Sequence, residues 1–257
     1  MAMLALLSAA HVPHNLSGRI LRPAARPPAR VRWLRGSAST AAAAPLLQRV
    51  LDLASSGDLD STVTAMDALT AEHLAITATG LEAGGPVGYH HIYSDHDLSI
   101  GIFVLPAGSA IPLHDHPDMT VLSKMLFGRM QVTSFDRPLP SASPPPAAGA
   151  FASLFASKQH LRCPAPVCRT VAAPCAPLRL DPVRGNIHEF VALEHTAIFD
   201  VLTPPYDDRA GRSCHYYETN APVEEAADEV ELREVGWPPN LRVVNRPYRG
   251  PAVVAPR

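Results

Sequence analysis

A mainly β fold, a small jelly-roll barrel behind short N-terminal helices, is what the sequence predicts. Three observations carry that prediction. The hydrophobic period changes from helical to two after Gly84-Gly85-Pro86. From there to Phe135, short apolar runs alternate with turn residues, the pattern of an antiparallel meander. Prolines number 27 among 257 residues, a density that favours turns and loops over long helices.

Residues 1–44 stand apart from the rest. They carry Arg19, Arg22, Arg26, Arg30, Arg32 and Arg35 amid Ser and Ala, and the first acidic residue is Asp52. This is the composition of an organellar transit peptide, and equally of a plain disordered tail. Either way the segment is excluded from the fold, and one folded domain is expected over 45–257. Its helical lead-in covers about 45–76. There Leu46, Leu47, Val50, Leu51 and Leu53 form an apolar stripe that Ser55-Ser56-Gly57 ends. A second helical run starts at Thr64, with Thr64 and Asp67 as a capping box and Met66, Leu69, His73 and Leu74 at helical spacing.

The β pattern follows. Tyr89–Tyr93 and Leu98–Leu105 read as strands joined by a turn at 94–97. Ile111–His114 and Thr120–Phe127 come next, and Gly128-Arg129 turns tightly into Met130–Phe135. A Pro-rich surface loop occupies about 138–150. Cys163 to Pro177, with prolines at 164, 166, 174 and 177, reads as an irregular excursion. Strands resume near Leu178, with Gly185–Leu193, Thr196–Leu202 and Cys214–Glu218, and the tail wraps the barrel without adding a domain.

Charge and composition exclude several classes. The net charge of −2 gives no electrostatic case for nucleic acid. No apolar run reaches the roughly 18 residues that span a membrane. Cys163, Cys168, Cys175 and Cys214 lack CxxC spacing, which disfavours a zinc ribbon. Reduced thiols in an intracellular compartment are expected. That compartment is cytosol or nucleus, or mitochondrion or plastid if the leader is a transit peptide. A monomer is expected.

The chemistry concentrates in the stretch Gly108–Gly128. Its centre is His114-Asp115-His116, bracketed by Pro112 and Pro117. On a strand, residues i and i+2 share a face, roughly 7 Å apart. Two imidazoles so placed can converge on one metal ion. His188, after Gly185-Asn186, is the third candidate ligand. Asp115 points away from that face, where it can orient a ligand imidazole or cap a turn. Asp200 lies inside the apolar run Ala197–Leu202, and a buried carboxylate needs a partner. Tyr206 follows Pro204-Pro205, which stiffens its backbone, so its hydroxyl can line the mouth. Cys214 and Tyr216 are an i, i+2 pair on one strand face. His90, His91, His96, His160, His195 and His215 are read as strand, turn or surface residues.

The layout of Gly, His-x-His and Gly128, then Gly-x-x-His, resembles the two-part signature of cupins. Many cupins add a Glu ligand at positions filled here by Thr120 and Val121. A site of three neutral imidazoles keeps the full charge of its metal and favours an anionic ligand such as a thiolate. The runs IPLHDHPDMTVLSKMLFG, GNIHEF, FDVLTPPYDD and GRSCHYY resemble the thiol dioxygenase family of plant cysteine oxidases and animal 2-aminoethanethiol dioxygenase. That resemblance implies one Fe²⁺ per chain on His114, His116 and His188, with Asp200, Tyr206, Cys214 and Tyr216 at the active site. It implies that O₂ converts the thiol of cysteamine, or of a protein's N-terminal cysteine, to a sulfinic acid. The second substrate feeds oxygen-dependent degradation, and the Cys214–Tyr216 pair is a candidate cross-link. The alternative is a non-catalytic, or differently specific, metal-binding cupin.

Overall fold

The computed structural model describes residues 38–138, 160–219 and 228–256. The leader up to residue 37 and the Pro-rich loop from residue 139 lie outside them. The first helix, α1 (Ala38–Ser55), begins ahead of the boundary expected at residue 45. Alanine is the strongest helix former, and the run of Ala before Pro45 extends the helix backwards. Leu47, Val50, Leu51 and Ala54 are its buried stripe. The second helix, α2 (Leu59–Asp67), starts earlier than expected and ends where the expected helix was under way. Its cap is Asp58, whose carboxylate accepts from Ser61 N at 3.1 Å. Thr64 is not a cap: its hydroxyl donates to Asp60 O within the helix. Met66, Leu69 and Leu74 are all buried, but the last two are carried inward by turns.

Thirteen strands follow among the described residues. The first five are β1 (Val87–Ser94), β2 (Ser99–Leu105), β3 (Ala110–His114), β4 (Thr120–Phe127) and β5 (Arg129–Phe135). Next come β6 (His160–Pro164), β7 (Val167–Ala172), β8 (Leu178–Leu180), β9 (Ile187–Ala192) and β10 (Thr196–Thr203). The last are β11 (Tyr216–Thr219), β12 (Glu229–Val235) and β13 (Val243–Asn245). They form a six-stranded sheet, β13-β1-β2-β10-β4-β8, and a seven-stranded sheet, β6-β12-β11-β3-β9-β5-β7. The inner faces meet in a core of Leu105, Met125 and Ile198 from the first sheet with Ile111, Met130, Val132 and Phe190 from the second. This is the jelly-roll barrel that the period-two pattern predicts.

Two expectations need correction. The Cys163–Pro177 stretch is not irregular: it contains β7, and Cys163 lies in β6. These strands sit at the two edges of the seven-stranded sheet, where proline costs no ladder hydrogen bond. The tail does more than wrap, since β12 and β13 each join a sheet.

Partners directly opposite across an antiparallel pair share a face. Gly101, Asp200 and Ser123 form one such row across β2, β10 and β4, and Ser99, Leu202 and Val121 form the next. Both rows face the barrel interior. The alternate residues Ile100, Ile102, Leu122, Phe199 and Val201 face outward and are buried with the α1 stripe. Burying each such large aliphatic side chain contributes about 1.5–3 kcal/mol. Lys124, also on the outer face, ties β4 to α2 through Asp67 at 2.5 Å and donates to Cys175 O at 2.7 Å.

Gly101 is glycine for space. A Cβ there would lie 2.5 Å from the Tyr89 ring, which crosses the strand over it. That ring is packed 4.9 Å from Phe103 and is 3% exposed, so it has little room to yield. Gly101→Ala is therefore expected to lower the unfolding free energy by about 1–3 kcal/mol, measured by urea denaturation.

Candidate metal centre

His114 ends β3 and pairs in register with His188 of β9 across the seven-stranded sheet. His116 is not on the strand, as i, i+2 spacing had suggested; it lies two residues past its end. Asn186 holds it in place. The Asn186 amide donates to His116 O at 2.8 Å and accepts from His116 N at 3.3 Å. The three rings still converge, with centroids 5.0, 4.8 and 4.9 Å apart. All three are buried, and one nitrogen from each lies within 4.8 Å of the others.

The hydrogen bonds set which nitrogen faces inward. His114 Nδ1 lies 2.8 Å from Pro112 O, and a carbonyl only accepts, so Nδ1 carries the proton. Tyr206 donates its single hydroxyl proton to Asp115 O at 2.7 Å. Its oxygen, 2.8 Å from His116 Nδ1, must then accept from that nitrogen. Both rings are left with an Nε2 lone pair for a ligand, the arrangement by which outer partners orient metal-binding imidazoles. Tyr206 is thus not a mouth residue: it is buried and stacked on His116 at 5.3 Å.

The electrostatics point the same way. Burial pushes all three imidazoles below the usual histidine range, and His116 and His188 also feel neighbouring rings. Neutral imidazole is the form that binds metal. His116 Nε2 and His188 Nε2 are 3.1 Å apart. Two nitrogens each about 2.1 Å from one ion, at right angles, are separated by about 3 Å. The donor set and its spacing therefore fit a single first-row metal ion. The other cluster among the described residues, Asp95-His96-Asp97, is exposed. Its Asp95 carboxylate is already taken by Tyr93 OH and the N–H groups of Asp97 and Leu98.

Asp115 does not orient a ligand ring with its carboxylate. It anchors the segment instead. Fully buried, it accepts from Arg137 Nη1 at 2.7 Å, Tyr217 OH at 2.9 Å and His215 N at 2.8 Å. Burial alone would raise its pKa, but the bonds from His215 and Arg137 outweigh that and hold it below the ordinary value. The bond to Asp115 correspondingly raises the His215 pKa. Arg137, Tyr217 and Asn186 were given no role from the sequence, although Asn186 stands two residues before His188, and His215 was read only as a strand, turn or surface residue.

Asp200 lies on the opposite wall and is 6% exposed. Ser123 donates to it, while its Oδ1 has no partner. Burial raises its pKa to about 7, partly countered by Ser123. Cys214 precedes β11 and is hydrogen-bonded to the Tyr206 and Tyr216 hydroxyls, and burial pushes its thiol up to about 12. Tyr216 is 6.1 Å from the His114 ring and meets Trp237 edge-on at 5.4 Å. The three histidines, Tyr206, Cys214 and Tyr216 are therefore linked by ring and hydrogen-bond contacts, Asp200 stands on the inner face of the other sheet, and Trp237 joins from the tail.

The family model PCO_ADO matches residues 51–253. The chain belongs to that family. Human 2-aminoethanethiol dioxygenase is 35% identical over 187 residues, covering 65% of this chain and 68% of that protein. Plant cysteine oxidase 2 of Arabidopsis thaliana is 42% identical over 132 residues, covering 51% of this chain and 44% of its own length. Plant cysteine oxidase 1 of the same species is 33% identical over 215 residues, covering 73% and 69%. The PCO_ADO match thus takes in the histidine triad, Asp200, Tyr206, Cys214 and Tyr216.

Two outcomes follow. Asp115→Ala leaves Arg137 without its buried partner and is expected to lower stability by about 3–5 kcal/mol in denaturant titration. Asp200 keeps its proton up to about pH 7 when folded but loses it near 3.8 when unfolded. Between those values the folded state binds more protons, so its stability falls as pH rises. In metal-free protein, Asp200→Asn is expected to raise Tm at about pH 8, the gain vanishing below about pH 4.

Proposed function

We infer that this chain is a thiol dioxygenase that adds both atoms of O₂ to the sulfur of an aminothiol, giving a sulfinic acid. The observation that carries the reading is the buried trio His114, His116 and His188, with lone pairs turned inward, in a chain of the PCO_ADO family. These three residues would hold one Fe²⁺. Bound there, it would supply open positions for thiolate and O₂ and the electrons that activate oxygen.

The chain's own residues do the rest. Pro112 O and Tyr206 keep His114 and His116 in the tautomer that presents Nε2. Met119, Val121, Leu180 and Leu202 pack with Tyr206 and keep bulk water out. Asp200 takes the substrate's ammonium; the pairing favours its ionised form over the neutral one that burial alone promotes. Tyr206 and Tyr216 hold the Cys214 thiol between them, protonated. Cysteamine and an N-terminal cysteine both carry a thiol two carbons from an amine, and both suit this arrangement. The product is the second rung of cysteine oxidation.

The test is direct. Protein loaded with Fe²⁺ under nitrogen is given cysteamine or a Cys-initiated peptide and then O₂. Mass spectrometry is expected to find two oxygen atoms added to the thiol product, and none with His188→Ala. Metal uptake without any oxygen gain would overturn the activity and leave a non-catalytic metal-binding barrel.

A further inference from the structure

Four buried side-chain polar atoms among the described residues have no hydrogen-bond partner: His73 Nδ1, Tyr248 OH, Ser99 Oγ and Asp200 Oδ1. The first two belong to the packing outside the barrel, where Leu74 and Tyr248 join the helical core. The other two face its interior. Ser99 is opposite Leu202, and Gly101 is opposite Asp200, so Ser99 and Asp200 stand one diagonal step apart on the inner face of neighbouring strands. They are 2% and 6% exposed. Ser123, the donor to Asp200, shares a cavity of about 50 Å³ with His188. Val121, in the row of Ser99, lines that cavity too, so both rows that carry the orphaned oxygens run into the wall that faces His188.

Each such atom costs about 1–3 kcal/mol if left unpaired, and two adjacent ones call for one group with several donors. A carboxylate is repelled by Asp200. An alcohol offers one donor for two acceptors. A primary ammonium offers three N–H groups and cancels the carboxylate's charge. We propose that Ser99 is a specificity residue that, with Asp200, forms a two-acceptor cradle for the primary ammonium of a 1,2-aminothiol. The proposal rests on the thiol dioxygenase reading and goes beyond it, because it makes the hydroxyl of β2 part of amine selection.

Ser99→Ala tests it in the iron-loaded enzyme. A hydrogen bond to a charged group is lost, so KM for cysteamine and for a Cys-initiated peptide is expected to rise about tenfold. The anaerobic Kd for cysteamine rises by the same factor. The kcat stays within about twofold, since the hydroxyl does not touch the reacting sulfur. Ser99→Thr, which keeps a hydroxyl on a strand-compatible side chain, restores KM. The Tm of unliganded Ser99→Ala equals or exceeds that of the parent, because an unpaired polar atom has been removed. An unchanged KM, or a fall in Tm and kcat with KM untouched, overturns the proposal. A parent protein that oxidises no thiol defeats the activity itself, whereas an active parent with an indifferent Ser99→Ala defeats only the cradle.

Discussion

Three uncharged imidazoles held ring against ring inside an apolar barrel are the constraint on which the structure turns. Protonated, they would repel one another at close quarters with little solvent to screen them; burial and proximity together hold them neutral. Neutral rings must still be told which nitrogen to protonate. The Pro112 carbonyl and the Tyr206 hydroxyl do this for His114 and His116. Tyr206 succeeds only because its own proton is committed to the Asp115 carbonyl. A main-chain oxygen next to one ligand thus fixes the tautomer of the next.

The barrel also sorts two aspartates into opposite roles by environment alone. Asp115 is surrounded by donors from β11, its approach and the segment after β5, and burial cannot protonate it. Its charge holds the segments around 115, 137 and 215–217 together. Asp200 has one donor and an unpaired oxygen, and burial raises its pKa instead. A saturated carboxylate is a structural anchor, while a half-satisfied one is an acceptor whose natural complement is a cation. The contrast is the physical basis for assigning the substrate's amine to Asp200.

Much of this was legible in the chain. Short apolar runs bounded by turn residues located β1, β2, β4, β9 and β10 to within a residue or two; β2, β4 and β10, buried on both faces, read as near-continuous apolar runs. His114 and His116 were legible because metal binding demands particular residue types at short spacing, whereas His188, 72 residues on, was legible only through its Gly-x-x-His context and the family resemblance. Other features were not. Pro-rich edge strands hide their pairing, since an edge needs only one side of the ladder. The second helix was read from apolar spacing that turns can also produce. The support around the ligands was invisible for a different reason: Asp115 meets His215 across 100 residues, and Asn186 meets His116 across 70. No local pattern encodes such contacts, and Tyr206 was therefore read as a mouth residue when it is a buried orienting one.

The division of labour between the sheets gives the site its final logic. The three imidazoles that could hold a metal all come from β3, its extension and β9 of the seven-stranded sheet. The facing wall of Ser99, Asp200 and its donor Ser123 comes from β2, β10 and β4 of the six-stranded sheet. In the proposed reading an aminothiol would have its sulfur on the imidazole side and its nitrogen on the wall, so the distance between the sheets would measure substrate length. That distance is not set inside the site. It is set by the shared core of Met125, Ile198, Val132 and Phe190 beneath it, and by the outer face of the first sheet, where Phe199 and Val201 are buried with the α1 stripe. Phe199 and Val201 flank Asp200 in sequence and point the other way, so the same strand that seats the helices aims the carboxylate. The helical lead-in is in this way part of the scaffold that positions the Asp200 carboxylate.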